Sequence, residues 1–445
     1  MDIYKLEKPN IINLDTGELF HRFTKNPEVV LDAINKINEP TYRHWDKVKY
    51  IEPPKGYSSE EFWYLAKQIR NANYRKTPIK AESGAFFRWM RLNYTDEYLH
   101  NIDMELGGQI FTHYSDLITP INRQRLLTKG IIEEAIASSQ LEGANTTTPA
   151  AKRMLLENRQ PKDKSEQMIV NNYKTIKALE EDYKEKKLSK DMLFEMHRLI
   201  TKDTLDTEKQ GRYRKDKENI VVADATKLIY HVPPKENFVD SQIDKLIKYA
   251  NDEDDDSFTH PIIKAIFLHF WIGYLHPFYD GNGRLARTIF YWYLLRKNYW
   301  AIMYIPISLA IKKAPSQYGM AYVYSEQDDF DLTYFYDFHI RKIVESLKDF
   351  NNYVLRKTQE NKKTEKLLHT NFTLNERQKQ VLHYLIVRDE SGYTTPSAHQ
   401  TLYGISRPTA ISDLKDLERK GLVISKKVGL YVKYYATNKL RNLQA

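Results

Sequence analysis

His276-Pro-Phe-Tyr-Asp-Gly-Asn-Gly-Arg-Leu-Ala-Arg287 separates two apolar segments of helical character, Ile262–Leu275 and Thr288–Leu295, so the stretch reads as helix, loop, helix. Pro277 ends the first helix at or near His276, because the residue before a proline is pushed out of the helical region. Gly281 and Gly283 allow the backbone to turn and to approach a ligand closely. The second helix then opens with unpaired amides that point back into the loop, and such an end binds anions.

Around a phosphate chain each polar residue of the loop has work to do. His276 alone carries an ordinary pKa suited to proton removal near neutrality, which makes it the candidate general base for a hydroxyl nucleophile. Asp280 offers a hard carboxylate oxygen suited to a Mg²⁺ ion shared with phosphate oxygens. Asn282 can donate a neutral hydrogen bond, while Arg284 and Arg287, three apart on one helix face, can take phosphate oxygens in bidentate fashion. Catalysis of this kind works by positioning and charge stabilisation. Taken singly, a histidine at a helix end is a cap and Gly-Asn-Gly is a turn. The bland account fails only against the whole set.

Outward from this loop, composition narrows the field. Of 445 residues, 41% are hydrophobic and 29% charged, with 32 Tyr and 18 Phe, which sets the chain apart from disordered and membrane-embedded classes. No apolar run is long enough to span a bilayer, and MDIYKLEKPNIINLDTGELF lacks the pattern of a signal peptide. With no Cys, disulfides, thiolate nucleophiles and cysteine-bound metals are excluded, and a cytoplasmic address is the expectation. The formal charge of +9 is uneven: residues 371–445 hold 12 Lys and Arg against 6 Asp and Glu, and residues 339–370 hold 8 against 4, so the remainder is nearly neutral. A polyanion partner is therefore expected at the carboxyl-terminal end.

Four regions follow. Residues 1–105 form an accessory region of mixed character whose role the residues do not reveal. Residues 106–350 form a helical domain, interrupted by a hairpin within Asn219–Pro234, where two β-branched runs flank a polar turn. Residues 351–370 read as a charged linker or an exposed helix end, and 371–445 as a separate domain.

His276-x-Phe278-x-Asp280-Gly281-Asn282-Gly283-Arg284-x-x-Arg287 resembles the signature of the Fic family at every specified position. That resemblance implies a mainly α fold with a Fic-type helical core and a β-hairpin flap, which is where 219–234 falls and where a target segment pairs as a strand. It implies transfer of AMP from ATP to a Ser, Thr or Tyr hydroxyl of a target protein. His276 would deprotonate the hydroxyl, Asp280 would hold Mg²⁺, Gly281, Asn282 and Gly283 would cradle phosphates, and Arg284 and Arg287 would hold the outer ones. Phe278 packs inward. Where the family places paired tyrosines beside the adenine, this chain has Tyr318 followed by Gly319, half of that platform.

Ser138-Ser-Gln-Leu-Glu142-Gly143 resembles the family's inhibitory pattern. By that analogy Glu142, on a short helix, competes for Arg287 and holds the enzyme idle, whereas the residues alone read as a helix end capped by Gly143. Residues 372–437 resemble a winged helix-turn-helix, with Arg407, Thr409, Ser412 and Lys415 facing DNA and Lys426, Lys427 and Lys433 on the wing. A protein partner or dimer contact at this domain stays open, as does a homo-oligomer. So do removal of AMP or transfer of another phosphate-containing group on the same fold, and a nucleotide-sensing DNA-binding regulator.

Overall fold

The computed structural model describes residues 2–112, 120–253, 258–368, 372–388, 391–429 and 431–442. It is mainly helical. In chain order the longer elements are α1 (Thr16–Lys25), α2 (Pro27–Asn38), α3 (Ser59–Asn73), β1 (Arg75–Lys80), β2 (Phe86–Trp89), α4 (Tyr94–Met104), α5 (Pro120–Leu141), α6 (Thr148–Glu157), α7 (Lys164–Ala178) and α8 (Lys190–Thr201). There follow β3 (Val222–Ala223), β4 (Ile229–His231), α9 (Glu236–Ala250), α10 (Pro261–Leu275), α11 (Asn282–Arg296), α12 (Pro315–Gln327) and α13 (Thr333–Leu368). The last are α14 (Glu376–Val387), β5 (Tyr393–Thr394), α15 (Pro396–Tyr403), α16 (Arg407–Arg419), β6 (Val423–Val428) and β7 (Tyr431–Ala436).

Two compact units interleave along the sequence. The first comprises Met1–Asp103, Asp182–Lys297 and Lys313–Val344, and the second Met104–Glu181, Asn298–Lys312 and Glu345–Ala445.

In the first unit α10 is buried on nearly every side, with its Lys264 paired to Asp252 at 2.7 Å, and so is central. Phe267, Phe270 and Trp271 from α10 and Trp292 from α11 are fully buried. The accessory region builds its own apolar cluster from Leu19, Val30, Ile34, Trp45 and Phe62, with α3 opened by a Ser58–Glu61 capping box. The Tyr42–Tyr50 segment, to which the sequence assigns no chemistry, is thus structural: Trp45 lies in that cluster and the Tyr42 hydroxyl donates to Asp331 at 2.7 Å. β3 and β4 form the expected hairpin, and the amino-terminal segment adds a single bridge to it, with Tyr4 N–H donating to the Ile229 carbonyl at 2.8 Å.

In the second unit Ile132 and Ile136 of α5 pack with Met154 of α6 and Ile169 of α7. The 351–370 stretch is helical as far as Leu368, as the later part of α13. It lacks Pro and Gly and holds four Lys, three Leu and two Glu, all good helix formers, so backbone propensity favours continuing the helix. Beyond it, α14 and α16 pack with a sheet ordered β5–β7–β6 around Leu382, Leu385, Leu414, Leu417 and Tyr434, while α15 packs against α16, α5 and α6. The two-residue β5, pairing Tyr393 with Tyr435, is too short to leave a periodic signal in the sequence. Among the described residues no helix is long and apolar enough to cross a membrane.

Candidate active site

α10 ends where Pro277 predicts, but in an unexpected conformation. His276 adopts the left-handed region (φ 45°, ψ 54°), while its N–H still donates to the Ile272 carbonyl at 2.9 Å. The extended backbone favoured before proline gives way to a left-handed helix cap, which closes the last turn and swings the chain into the loop.

Arg214, which no motif marks, secures that turn. Its side chain is buried, with Nε donating to the His276 carbonyl at 2.8 Å and Nη2 to the carbonyls of Pro234 and, at 3.4 Å, Leu275. A buried guanidinium on the last carbonyls of a helix satisfies groups that otherwise lack partners and offsets the negative end of its dipole.

His197 holds the other side of the loop. Its Nδ1 accepts the Gly211 N–H at 2.9 Å, so Nε2 carries the hydrogen donated to the Asp280 carbonyl at 2.9 Å. Burial pushes its pKa down to about 4, which keeps this neutral tautomer in place. The ring stacks on Phe278 at 4.0 Å between centroids, which fixes Phe278 as the loop's inward anchor.

Asn282 turns its carboxamide inward. Oδ1 accepts from the Phe278 N–H at 2.9 Å and Nδ2 donates to the Phe278 carbonyl at 2.8 Å. The side chain expected to reach a ligand therefore braces the loop, and what α11 offers to an anion is its first amides. Gly281, at φ 84°, caps α11, and a Cβ there would stand 3.1 Å from Thr201 Cγ2. Both backbone and space demand glycine.

Arg284 is fully buried, with Nη1 donating to the Ile200 carbonyl at 3.0 Å and Nη2 3.4 Å from Asp280 Oδ1. It latches α11 to the end of α8 and steadies Asp280, whose Oδ1 also accepts the Gly281 N–H at 2.6 Å. Asp280 keeps a partly exposed carboxylate (39%). Arg287, also buried, lies close enough to His269 and His339 to help hold both imidazoles neutral, after burial as the main cause. Tyr318 is half-buried, and its hydroxyl pairs with His269 Nε2 at 3.0 Å among Tyr322, Phe335 and Phe338.

The hairpin contributes His231. Its Nδ1 meets Glu326 Oε2 at 2.7 Å and its Nε2 meets the Tyr274 carbonyl at 2.8 Å. Both partners are acceptors, so both ring nitrogens carry hydrogen and the ring is an imidazolium. Burial opposes that charge, but Glu326 outweighs it and the pKa stands above its ordinary value. His276, 6.5 Å away between ring centroids, shows the reverse. Burial, then His231, pushes its pKa down to about 3, which leaves a neutral imidazole.

Among the described residues no three His, Asp or Glu side chains cluster as metal ligands. A single carboxylate beside an anion-binding helix end suits Mg²⁺ arriving with a phosphate chain, since that ion keeps waters and phosphate oxygens among its ligands.

In the second unit, Ser138 is buried near the end of α5, which at 22 residues is no short helix. Glu142 follows directly, its N–H donating to the Ser139 carbonyl at 3.1 Å, and Gly143 closes the turn at φ 90°. On α16, Arg407, Ser412 and Lys415 are exposed and Thr409 is half-buried against the Ser406 cap, while Ala410, Leu414 and Leu417 face inward.

Sequence signals reach only part of this site. His276 to Arg287 announce themselves by spacing, whereas Arg214, His197, His231 and Glu326 come from distant positions and carry no local pattern.

Residues 187–294 match the model of the Fic/DOC family. The chain is 31% identical over 116 residues to a protein adenylyltransferase Fic of Nematostella vectensis, covering 26% of this chain and 25% of that one. It is 32% identical over 88 residues to one of Drosophila grimshawi, covering 20% and 17%. The chain thus spans a quarter or less of the length of these curated relatives. Among solved structures, a Fic family protein of Desulfovibrio desulfuricans G20 aligns with a TM-score of 0.46 at 19% identity, over 76% of this chain and 96% of that one. Fic-1 of C. elegans aligns with a TM-score of 0.45 at 15% identity, over 77% and 86%. The loop, α10 and α11 as far as Leu294 fall inside the matched segment, and in residues 187–294 this chain carries a Fic domain.

Proposed function

We propose that the Fic domain transfers AMP from ATP to a Ser, Thr or Tyr hydroxyl of a target protein or of this chain. The observation that carries this reading is a neutral His276 at the head of a loop that runs into the amino-terminal end of α11. The imidazole accepts the target hydroxyl's proton, the oxygen bonds to the α-phosphorus, and the α–β anhydride breaks to release pyrophosphate. The amides of Gly283 and its neighbours bind phosphate oxygens, and Arg287 offsets their charge. Arg284 supports the same phosphates through the loop it latches. Mg²⁺ on Asp280 would neutralise phosphate charge. Tyr318 backs the adenine from its aromatic cluster.

The β3–β4 hairpin acts as the flap that aligns the target segment by strand pairing. Glu142, with Ser138 and Gly143 shaping its turn, restrains the transfer. The carboxyl-terminal domain is a winged helix-turn-helix, a reading supported by its order of helices and strands, and Arg407, Thr409, Ser412 and Lys415 of α16 face duplex DNA.

Full-length protein with α-labelled ATP, Mg²⁺ and a cell lysate tests the core of this reading. Glu142→Gly should raise labelling of the chain or a target, and His276→Ala added to it should abolish the label. No label from ATP in Glu142→Gly would end the AMP-transfer reading, and label only from another nucleotide would replace AMP with that group.

A further inference from the structure

Within the second unit, helices α5, α6, α13, α14 and α15 line a cleft of about 1120 Å³. That is at or above the ~300–1,000 Å³ of ordinary small-molecule sites. Its described lining carries seven Lys and Arg against three Asp and Glu. Lys129 and Lys152 share one carboxylate, Glu133, at 2.6 and 3.5 Å. Arg125 donates to the neutral amide oxygen of Gln380 at 2.7 Å. Arg153 and Lys433 lie over the Tyr393 ring at 5.2 and 4.0 Å and Arg388 over the exposed Tyr384 at 5.2 Å, and neither guanidinium has a carboxylate partner among the described residues.

The field in the cleft is correspondingly positive. Burial alone would push the Tyr353 phenol up, yet Arg125, Lys129 and Lys357 hold it below its usual value. An anion is the missing complement. An acidic peptide would meet the charge and leave the ring faces idle, whereas nucleotides bring both phosphate and a stacking base. Duplex DNA presents its phosphates on the outside of a broad rod with its bases already stacked, and so leaves those rings idle too.

We propose that this cleft binds a phosphodiester-linked nucleotide, with phosphates on Arg153 and Arg388 and a base stacked on Tyr384. The same chemistry belongs to a free dinucleotide and to a short single-stranded segment. α5 forms one wall through Arg125 and Lys129 and ends at the Ser138–Gly143 turn, so an occupant would press on the helix that leads into Glu142.

Fluorescence anisotropy with the full chain tests this, using a labelled cyclic dinucleotide, a single-stranded hexanucleotide, a duplex and polyglutamate. One of the first two should bind, and which one names the source. Arg153→Gln with Arg388→Gln should weaken it about a hundredfold, roughly tenfold for each lost charge-assisted contact, with an unchanged melting curve. Tyr384→Leu should weaken it as well, and Arg407→Gln with Lys415→Gln on α16 should not. The proposal is overturned if neither nucleotide binds, if the paired cleft variant binds undiminished, or if duplex or polyglutamate is preferred.

Discussion

The imidazoles of His231 and His276 stand 6.5 Å apart in opposite protonation states, the first charged and the second neutral. Glu326 and the Tyr274 carbonyl enforce the charge on His231, and that charge adds to burial in keeping His276 unprotonated. The hairpin thus reaches His276 by electrostatics as well as by position.

The first prediction concerns the pH profile. With His276 at about 3, labelling by Glu142→Gly protein should show no acid limb near the ordinary imidazole value of about 6.5. His231→Gln removes the neighbouring cation, so the His276 pKa should rise and the limb should move to higher pH. Initial labelling rates from about pH 8 down to about 3, with the folded fraction followed in parallel, check this, and an unmoved limb in His231→Gln would discard the coupling.

Gly281→Ala makes a second test. The residue sits at φ 84° and the added methyl would lie 3.1 Å from Thr201. A left-handed Ala costs about 1–2 kcal/mol, and the contact must be relieved by shifting the loop. Urea unfolding should show a loss of at least that size, and labelling should fall more steeply than stability. A variant that unfolds and labels like the parent would mean the loop tolerates a side chain.

Arg214 tests a role that local sequence conceals. Arg214→Ala strips partners from the carbonyls of His276, Leu275 and Pro234, and an unsatisfied buried acceptor costs about 1–3 kcal/mol. A total loss of about 2–4 kcal/mol is expected. Arg214→Lys should recover only part of it, because an ammonium cannot fork across several carbonyls. Full recovery by Lys would reduce the residue's role to its charge.

How much was legible beforehand depends on how local each signal is. The helix, loop, helix of 262–295, the hairpin and the Gly143 cap were readable, because a proline, paired glycines and β-branched runs act on their own neighbours. The amino-terminal rung on β4 was not, since Ile3 and Ile229 meet across 226 positions and nothing near either foretells the other. Likewise Asn282 and Arg284 looked like ligands on a bare sequence, and only packing shows that their polar atoms turn to Phe278, Ile200 and Asp280.

The last prediction follows from the neutral histidines. His197, at about 4, and His339, at about 3, are both buried and bind protons less readily when folded than the ~6.5 expected of an unfolded chain. As pH falls below about 6.5 the unfolded state gains protons that the folded state refuses, so stability drops, by about 1.4 kcal/mol per pH unit for each such group, until the folded pKa is reached. His231 works in the other direction and in another window. Its raised pKa gives stability that is fully present below the ordinary imidazole value and is lost as pH rises through the folded one. Unfolding free energies from urea titrations between pH 7 and pH 5 should therefore fall on the acid side, and His339→Gln should flatten that slope by up to about 1.4 kcal/mol per pH unit. An identical slope in that variant would show that His339 is already charged in the folded chain, and with it that the surroundings of Arg287 are not those described.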